Sequence, residues 1–284
     1  MRIVVFGRNG QVARCLREEA GDALVALSRD EADLMQEGAA QKAITAHQPD
    51  IVINAAAYTA VDKAEQEQNA AAQVNAKAPD EMALAAKAAG AQFIHLSSDY
   101  VFDGKSEAPY TETDAANPLN VYGQTKLAGE QAVLSANPQA IIMRTSWVFS
   151  EFGGNFVKTM LRLGAERDSL SIVADQIGGP TPARDIAKTL LAIAAKKHRG
   201  APGEGIYHYQ GAPTVSWAQF AGKIFDYAGL SVAVAPIPTA QYPTPATRPL
   251  NTHLNCGKIE RDFGVAMPDW RVRLRQIIDT LSRK

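Results

Sequence analysis

Cysteine is scarce in this sequence: Cys15 and Cys256 are the only two among 284 residues. Two distant thiols form no disulfide framework and show no metal-ligand spacing, so each is expected to be a small buried hydrophobe in a reduced compartment. No apolar run approaches the ~20 residues that a membrane-spanning helix needs. The N-terminal run Ile3–Phe6 is also too short for a signal peptide. An excess of either charge is missing as well, since the formal net charge is −1. That balance gives no reason to expect nucleic acid or an anionic membrane as a partner. Internal repeats and low-complexity tails are absent. What remains is ordinary for a globular chain, with 46% hydrophobic and 21% charged residues. The length suffices for one large or two unequal domains. The expectation is a soluble cytoplasmic protein.

The chain opens on a β-branched run, Ile3-Val-Val-Phe6, of the kind a buried parallel strand shows. It runs into Gly7-Arg8-Asn9-Gly10-Gln11-Val12-Ala13 and then a helical stretch to about Ala20. Strand, glycine turn and helix in this order suit a dinucleotide. Gly7 permits the tight turn, and Gly10 lets backbone N–H groups approach a pyrophosphate at the helix N-terminus. A second strand, Leu24–Leu27, ends in Ser28-Arg29-Asp30. An acidic residue here ordinarily holds the ribose hydroxyls, and Asp30 leaves NADH open. Arg8 and Arg29 place two guanidinium groups near that ribose, which suits a 2′-phosphate and favours NADPH. Asp33 and Leu34 are expected to border the adenine.

A third strand, Asp50–Asn54, empties into Ala55-Ala56-Ala57-Tyr58-Thr59, where small side chains let a flat cofactor lie against backbone. The alanine-rich segment 69–90 reads as helix, with Asn75 bracing a neighbouring strand. A fourth strand, Gln92–Leu96, delivers Ser97-Ser98-Asp99. Tyr122 and Lys126 follow on an expected helix, Asn120–Val133, at a spacing of four that puts both on one face. A free tyrosine has a pKa near ~10, and a nearby lysine is expected to lower it toward the range of a general acid. Ser98, Tyr122 and Lys126 together read as a carbonyl-reduction site, although the Tyr/Lys pair alone is weak. A fifth strand, Ala140–Arg144, completes an alternation of strands and helices. That alternation predicts an α/β fold: a Rossmann-type doubly wound parallel sheet over residues 1–145.

Residues 146–284 are expected to form a smaller α/β substrate-binding region, with about 155–200 packing back on the sheet. Trp147 follows the fifth strand, and the loop 175–182 is rich in glycine and proline. Helices are expected over Asn155–Leu163, Asp185–Ala195 and Trp217–Ala228, and a strand over Ile206–Tyr209. The proline-rich stretch 235–250 reads as irregular, either a linker or a lid facing the substrate. Arg248 and Arg261 are the basic residues nearest it, and Arg248 is expected at the substrate, where it would clamp a phosphate or pyrophosphate.

These residues carry a resemblance. GxxGQ at 7–11, NAAAYTAVDKAE (54–65), LSSDYVFDG (96–104), PLNVYGQTKLAGE (118–130) and RTSWVF (144–149) resemble the extended short-chain dehydrogenase/reductases. FVKTMLRL (156–163), DQIGGPT (175–181), YPTPATRP (242–249) and LNCGKI (254–259) extend the likeness over nearly the whole chain. The resemblance implies reduction of the C4 keto group of a dTDP-linked sugar, dTDP-4-dehydro-6-deoxy-L-mannose, with hydride from NADPH or NADH. By position it implies Tyr122 as proton donor, with Lys126 on the nicotinamide ribose. Ser98, standing where threonine is common in the family, would bond the keto oxygen. Asp99 and Trp147 match substrate-contacting positions, and Gly10 to Val12, Asp30, Tyr58 and Thr59 match cofactor-contacting ones. A homodimer bridged by magnesium also belongs to the resemblance, but no ligands for the ion are identified in the sequence.

Two other readings stand beside this one. Another nucleotide-sugar epimerase or dehydratase would share the glycine turn and the Tyr/Lys pair, although a dehydratase would want a glutamate where Tyr100 follows Asp99. A non-catalytic, reductase-like regulatory subunit would share the fold, and intact Ser98, Tyr122 and Lys126 count against it.

Overall fold

The computed structural model describes residues 1–283. Five strands come from the first half: β1 (Ile3–Phe6), β2 (Leu24–Leu27), β3 (Ile51–Asn54), β4 (Gln92–Ser98) and β5 (Ile141–Thr145). Every residue of β1, β3 and β5 is buried, as strands covered on both faces must be. A sixth strand, Gly205–His208, adds itself parallel to β5, so the sheet runs β2-β1-β3-β4-β5 and then 205–208. All its pairings are parallel.

Helices cover both faces. Ile3, Val5, Ile51, Ile53 and Ile94 point to one face, under α1 (Gln11–Ala20) and the helices Ala183–His198 and Gly257–Phe263. Val4, Phe6, Val52 and Phe93 point to the other, under helices Ala39–His47, Ala78–Ala88 and Val121–Ala136. This alternation is the period-2 signature of strands, and each fully buried Val, Ile or Phe contributes roughly 1.5–3 kcal/mol. A separate apolar cluster joins helices Phe156–Glu166, Trp217–Ala228 and Trp270–Ser282 over the strand Ser169–Val173.

Several details differ from expectation. The fourth strand extends through Ser98, because Ser97 and Ser98 register against Arg144 and Thr145. The segment 69–90 is helical with a π turn at Gln73–Lys77, and that turn presents Asn75 inward. Asn75 braces the loop after β3 rather than a strand: Tyr58 N donates to its Oδ1 at 2.8 Å, and its Nδ2 donates to Tyr58 O at 3.1 Å. The stretch 235–250 is not wholly irregular. Ala233–Ile237 forms a strand parallel to Ser169–Val173, in a two-stranded sheet where an edge position accommodates Pro236.

Candidate active site

A cleft of about 720 Å³ opens along the carboxyl ends of the strands. In open α/β sheets ligands bind at this edge. The glycine turn forms its floor. Gly7 has φ +101°, and a Cβ there would stand 2.9 Å from the Ala56 nitrogen. Gly10 N donates to Gly7 O at 2.8 Å, and Gly10 caps α1 with no side chain over the first amides. The first-turn N–H groups are therefore left for an anionic ligand. Small side chains at Ala55, Ala56 and Ala57 form the adjoining wall. This cradle, which a Cβ would fill, fits a dinucleotide.

At the adenosine end Arg8, Ser28 and Arg29 line the cleft. Arg8 is anchored, its Nε donating to Ala26 O at 2.7 Å and its Nη2 to Glu31 at 2.7 Å. Glu31 also accepts from Ser28 N, and these bonds hold its carboxyl below the usual range. Arg29 is mostly exposed and meets Asp33 at 3.2 Å. Asp30 is exposed, Leu34 is buried in the core, and neither they nor Asp33 form the wall. Gln11, Val12 and Thr59 do line the cleft. Tyr58 does not, and its hydroxyl donates to Glu67 at 2.5 Å.

The polar cluster sits opposite. Helix Val121–Ala136 starts at Asn120, whose Oδ1 accepts from Gly123 N at 2.8 Å and whose Nδ2 donates to Thr247 O. Gly123 lets the helix press on the turn after β4, since a Cβ there would lie 2.2 Å from Tyr100 O. Tyr122 and Lys126 both face the cleft across from Ser98. Ser98 Oγ donates to Asp99 Oδ1 at 3.0 Å and accepts from Tyr100 N.

The electrostatics correct one expectation. Burial pushes the Tyr122 phenol up to about 12, the Ser98 side chain opposes that shift, and Asp99 adds to it. Lys126 is not among the groups that shift it. Nζ donates to Leu96 O at 2.7 Å and lies 3.3 Å from His95 Nε2. Burial brings Lys126 itself down to about 8. Asp99 is raised to about 6, first by burial, and its Oδ2 has no hydrogen-bond partner. Such a cluster can bind a carbonyl oxygen through Ser98 and hand it a proton from Tyr122.

Trp147 lines the same cleft, but Arg248 does not: its Nη2 donates to Asp62 at 2.9 Å and its Nη1 to Ala246 O. Arg261 pairs with its neighbour Asp262. Sequence reasoning missed Trp217, whose ring stacks on Trp147, and the segment Gly153-Gly154-Asn155. Asn155 Nδ2 and Ser150 Oγ donate to Gln11 Oε1 at 2.9 and 2.8 Å, tying this segment to the glycine turn. The glycine pair was the one local signal for it. Among the described residues no group of three or more His, Cys, Asp or Glu forms a metal cluster. Glu18, Glu19 and Glu151 converge on Arg184 instead, and Cys15 is pushed up to about 12 by burial. This part of α1 does not fit a magnesium ion. No helix of the described residues is long and apolar enough to cross a membrane.

A parallel nucleotide-binding sheet with a glycine turn facing a Ser/Tyr/Lys cluster defines a nicotinamide-dependent oxidoreductase of the short-chain dehydrogenase/reductase kind. The chain belongs to the family described as RmlD substrate binding domain, whose model matches residues 1–283. It is 44% identical to the dTDP-4-dehydrorhamnose reductase of Sinorhizobium fredii, over 98% of this chain and 97% of that protein. The Escherichia coli protein of that name is 40% identical, over 99% and 98%. Among solved structures, the dTDP-4-dehydrorhamnose reductase of Bacillus anthracis in complex with NADP superposes with a TM-score of 0.93 at 34% identity, covering 98% of this chain and 99% of that one.

Proposed function

We propose that the protein is a dTDP-4-dehydrorhamnose reductase, reducing the C4 keto group of dTDP-4-dehydro-6-deoxy-L-mannose to give dTDP-L-rhamnose. The observation that carries this reading is the meeting of Ser98, Tyr122 and Lys126 in one cleft with the glycine turn. The 40–44% identity to reductases of that name supports the choice of substrate. When bound, NADPH or NADH supplies the hydride. Residues 1–145 hold the cofactor, and the region built on helices 156–166, 217–228 and 270–282 holds the sugar nucleotide. Arg8 and Arg29 favour NADPH through its 2′-phosphate.

In this reading the Ser98 hydroxyl turns its one proton from Asp99 Oδ1 to the keto oxygen and fixes its position. Tyr122 keeps its proton at neutral pH, because its phenol is pushed up to about 12. An oxygen that turns into an alkoxide becomes basic enough to take that proton, so Tyr122 is a general acid matched to the charged product of hydride addition. The phenolate left behind recovers its proton from solvent. Trp147 and Asp99 shape the sugar end of the cleft.

The test is oxidation of NADPH and NADH with the dTDP-linked 4-keto sugar, followed by the absorbance of the reduced nicotinamide. Tyr122→Phe should lose roughly 10²–10⁴-fold in kcat while still binding cofactor. Folded wild-type protein that binds NADP(H) but consumes neither cofactor would overturn the proposal.

A further inference from the structure

Four groups, three of them buried, stand in line from the cofactor wall inward. Ala56 N donates to Asn54 Oδ1 at 3.0 Å, Asn54 Nδ2 lies 3.1 Å from His95 Nδ1, and His95 Nε2 lies 3.3 Å from Lys126 Nζ. Asn54 and His95 are fully buried, and Lys126 is 1% exposed. The direction of each bond follows from its neighbour. A backbone N–H only donates, so the oxygen of Asn54 must face Ala56. The Asn54 NH₂ then faces His95 and also only donates, so His95 Nδ1 carries a lone pair. Burial keeps the ring neutral, which puts its one proton on Nε2.

That proton points at Lys126. An ammonium has three donors and no acceptor, and would meet Nε2–H donor to donor, whereas a neutral amine offers a lone pair. Turning the Asn54 amide over moves the clash to the Ala56 N–H, where neither partner can shed a proton. Lys126 alone in the row can resolve the conflict by deprotonating, and its amine still donates to Leu96 O at 2.7 Å.

We propose that His95 is a positioning residue: held by Asn54 and the Ala56 amide, it presents Nε2–H to Lys126 and favours the neutral amine there before the cofactor binds. The charged group that acts on the pair is Glu130, on the lysine's own helix, with Arg144 of β5 bound to it; Tyr122 precedes the lysine by one turn on that helix. Burial lowers Lys126, and Glu130 opposes it. Glu130 is itself bound by Arg144 through two bonds of 2.9 and 2.6 Å and by the Ser97 hydroxyl, which mutes its pull on the lysine. The role deepens the proposed reduction and rests on it: a lysine poised near neutrality takes up a proton as negative charge develops on Tyr122. The same row ends on Ala56, in the cofactor wall.

The test reads the protons directly, on full-length cofactor-free protein labelled with ¹⁵N at lysine and histidine, with Lys126→Met assigning the signal. His95 should show a protonated Nε2 and a bare Nδ1, and Lys126 should titrate roughly two pH units below the surface lysines. A proton on Nδ1, or Lys126 titrating with the surface lysines, would overturn the proposal. In His95→Gln the amide oxygen can turn toward Lys126 and accept from the ammonium. The Lys126 titration and the pH midpoint of kcat/KM should then rise together by a unit or more. A loss of rate at an unmoved midpoint would mean a merely structural role and would also overturn it. If His95→Gln does not fold, the wild-type spectra still decide. Failure of the dTDP sugar to react would sink the substrate reading and leave these titrations intact.

Discussion

The indoles of Trp147 and Trp217 lie face to face in the wall of the cleft, their ring centroids 3.5 Å apart and their planes within 4° of parallel. Trp147 has φ 45°, a left-handed conformation that a bulky side chain adopts only under constraint. Gly178 beneath it makes room, since a Cβ there would stand 2.5 Å from the Trp147 ring. One aromatic plate is thus assembled from the end of β5 and from a helix of the second cluster.

Trp217→Ala should release this plate. An aromatic pair contributes about 0.5–1.5 kcal/mol beyond its buried area. The expected result is a rise of roughly 3- to 10-fold in KM for the sugar nucleotide, with the NADPH dissociation constant unchanged. Gly178→Ala should act in the same direction by displacing Trp147. Steady-state kinetics and cofactor titration check both, and an unchanged KM in Trp217→Ala would remove the plate from the sugar site.

Cofactor preference should respond at Arg29, the more exposed of the two arginines at the adenosine end, because Arg8 is committed to Ala26 and Glu31. Arg29→Ala is expected to lower the ratio of kcat/KM for NADPH over NADH by about tenfold, as loss of one charge-assisted contact to a phosphate would. Rates measured with each reduced cofactor decide it; a constant ratio assigns the 2′-phosphate elsewhere.

Asp99 should leave a mark on the pH dependence of stability. Its carboxyl keeps its proton up to about pH 6 in the folded protein, against an ordinary value of 3.8. Between those values the folded state binds more protons than the unfolded one, so stability falls as pH rises. The contribution is whole below the unfolded value and lost on passing the folded one. Asp99→Asn lacks this loss. Relative to wild type it should gain on the order of 2–3 kcal/mol between pH 4 and pH 7.5. Denaturant unfolding at the two pH values measures the change, and a constant difference would mean that Asp99 is not desolvated.

Much of this arrangement was legible in local sequence. The runs at Ile3–Phe6 and Ala140–Arg144 read as buried parallel strands, and the glycine turn directly follows the first of them. Ser98 at a strand end and Tyr122 with Lys126 one helical turn apart are short-range patterns, which backbone geometry alone converts into position. Trp217 was not legible as a site residue, because its helix also reads as plain amphipathic core and its partner lies 70 positions earlier. Arg248 looked available to a substrate, and only the fold brings Asp62 to it.

The sequence by itself determined most of the strands and helices of the first half, the order of the sheet's first five strands in the chain, and the chemical identity of the reacting groups, since these rest on spacing and side-chain chemistry. Only the tertiary structure decided how those groups are charged. Burial is a property of the whole packed molecule, and desolvation raises Tyr122 and Asp99 while lowering Lys126. The lysine expected to activate the tyrosine bonds instead to Leu96 O and faces His95, because β3 and β4 lie side by side and bring Asn54 and His95 into register.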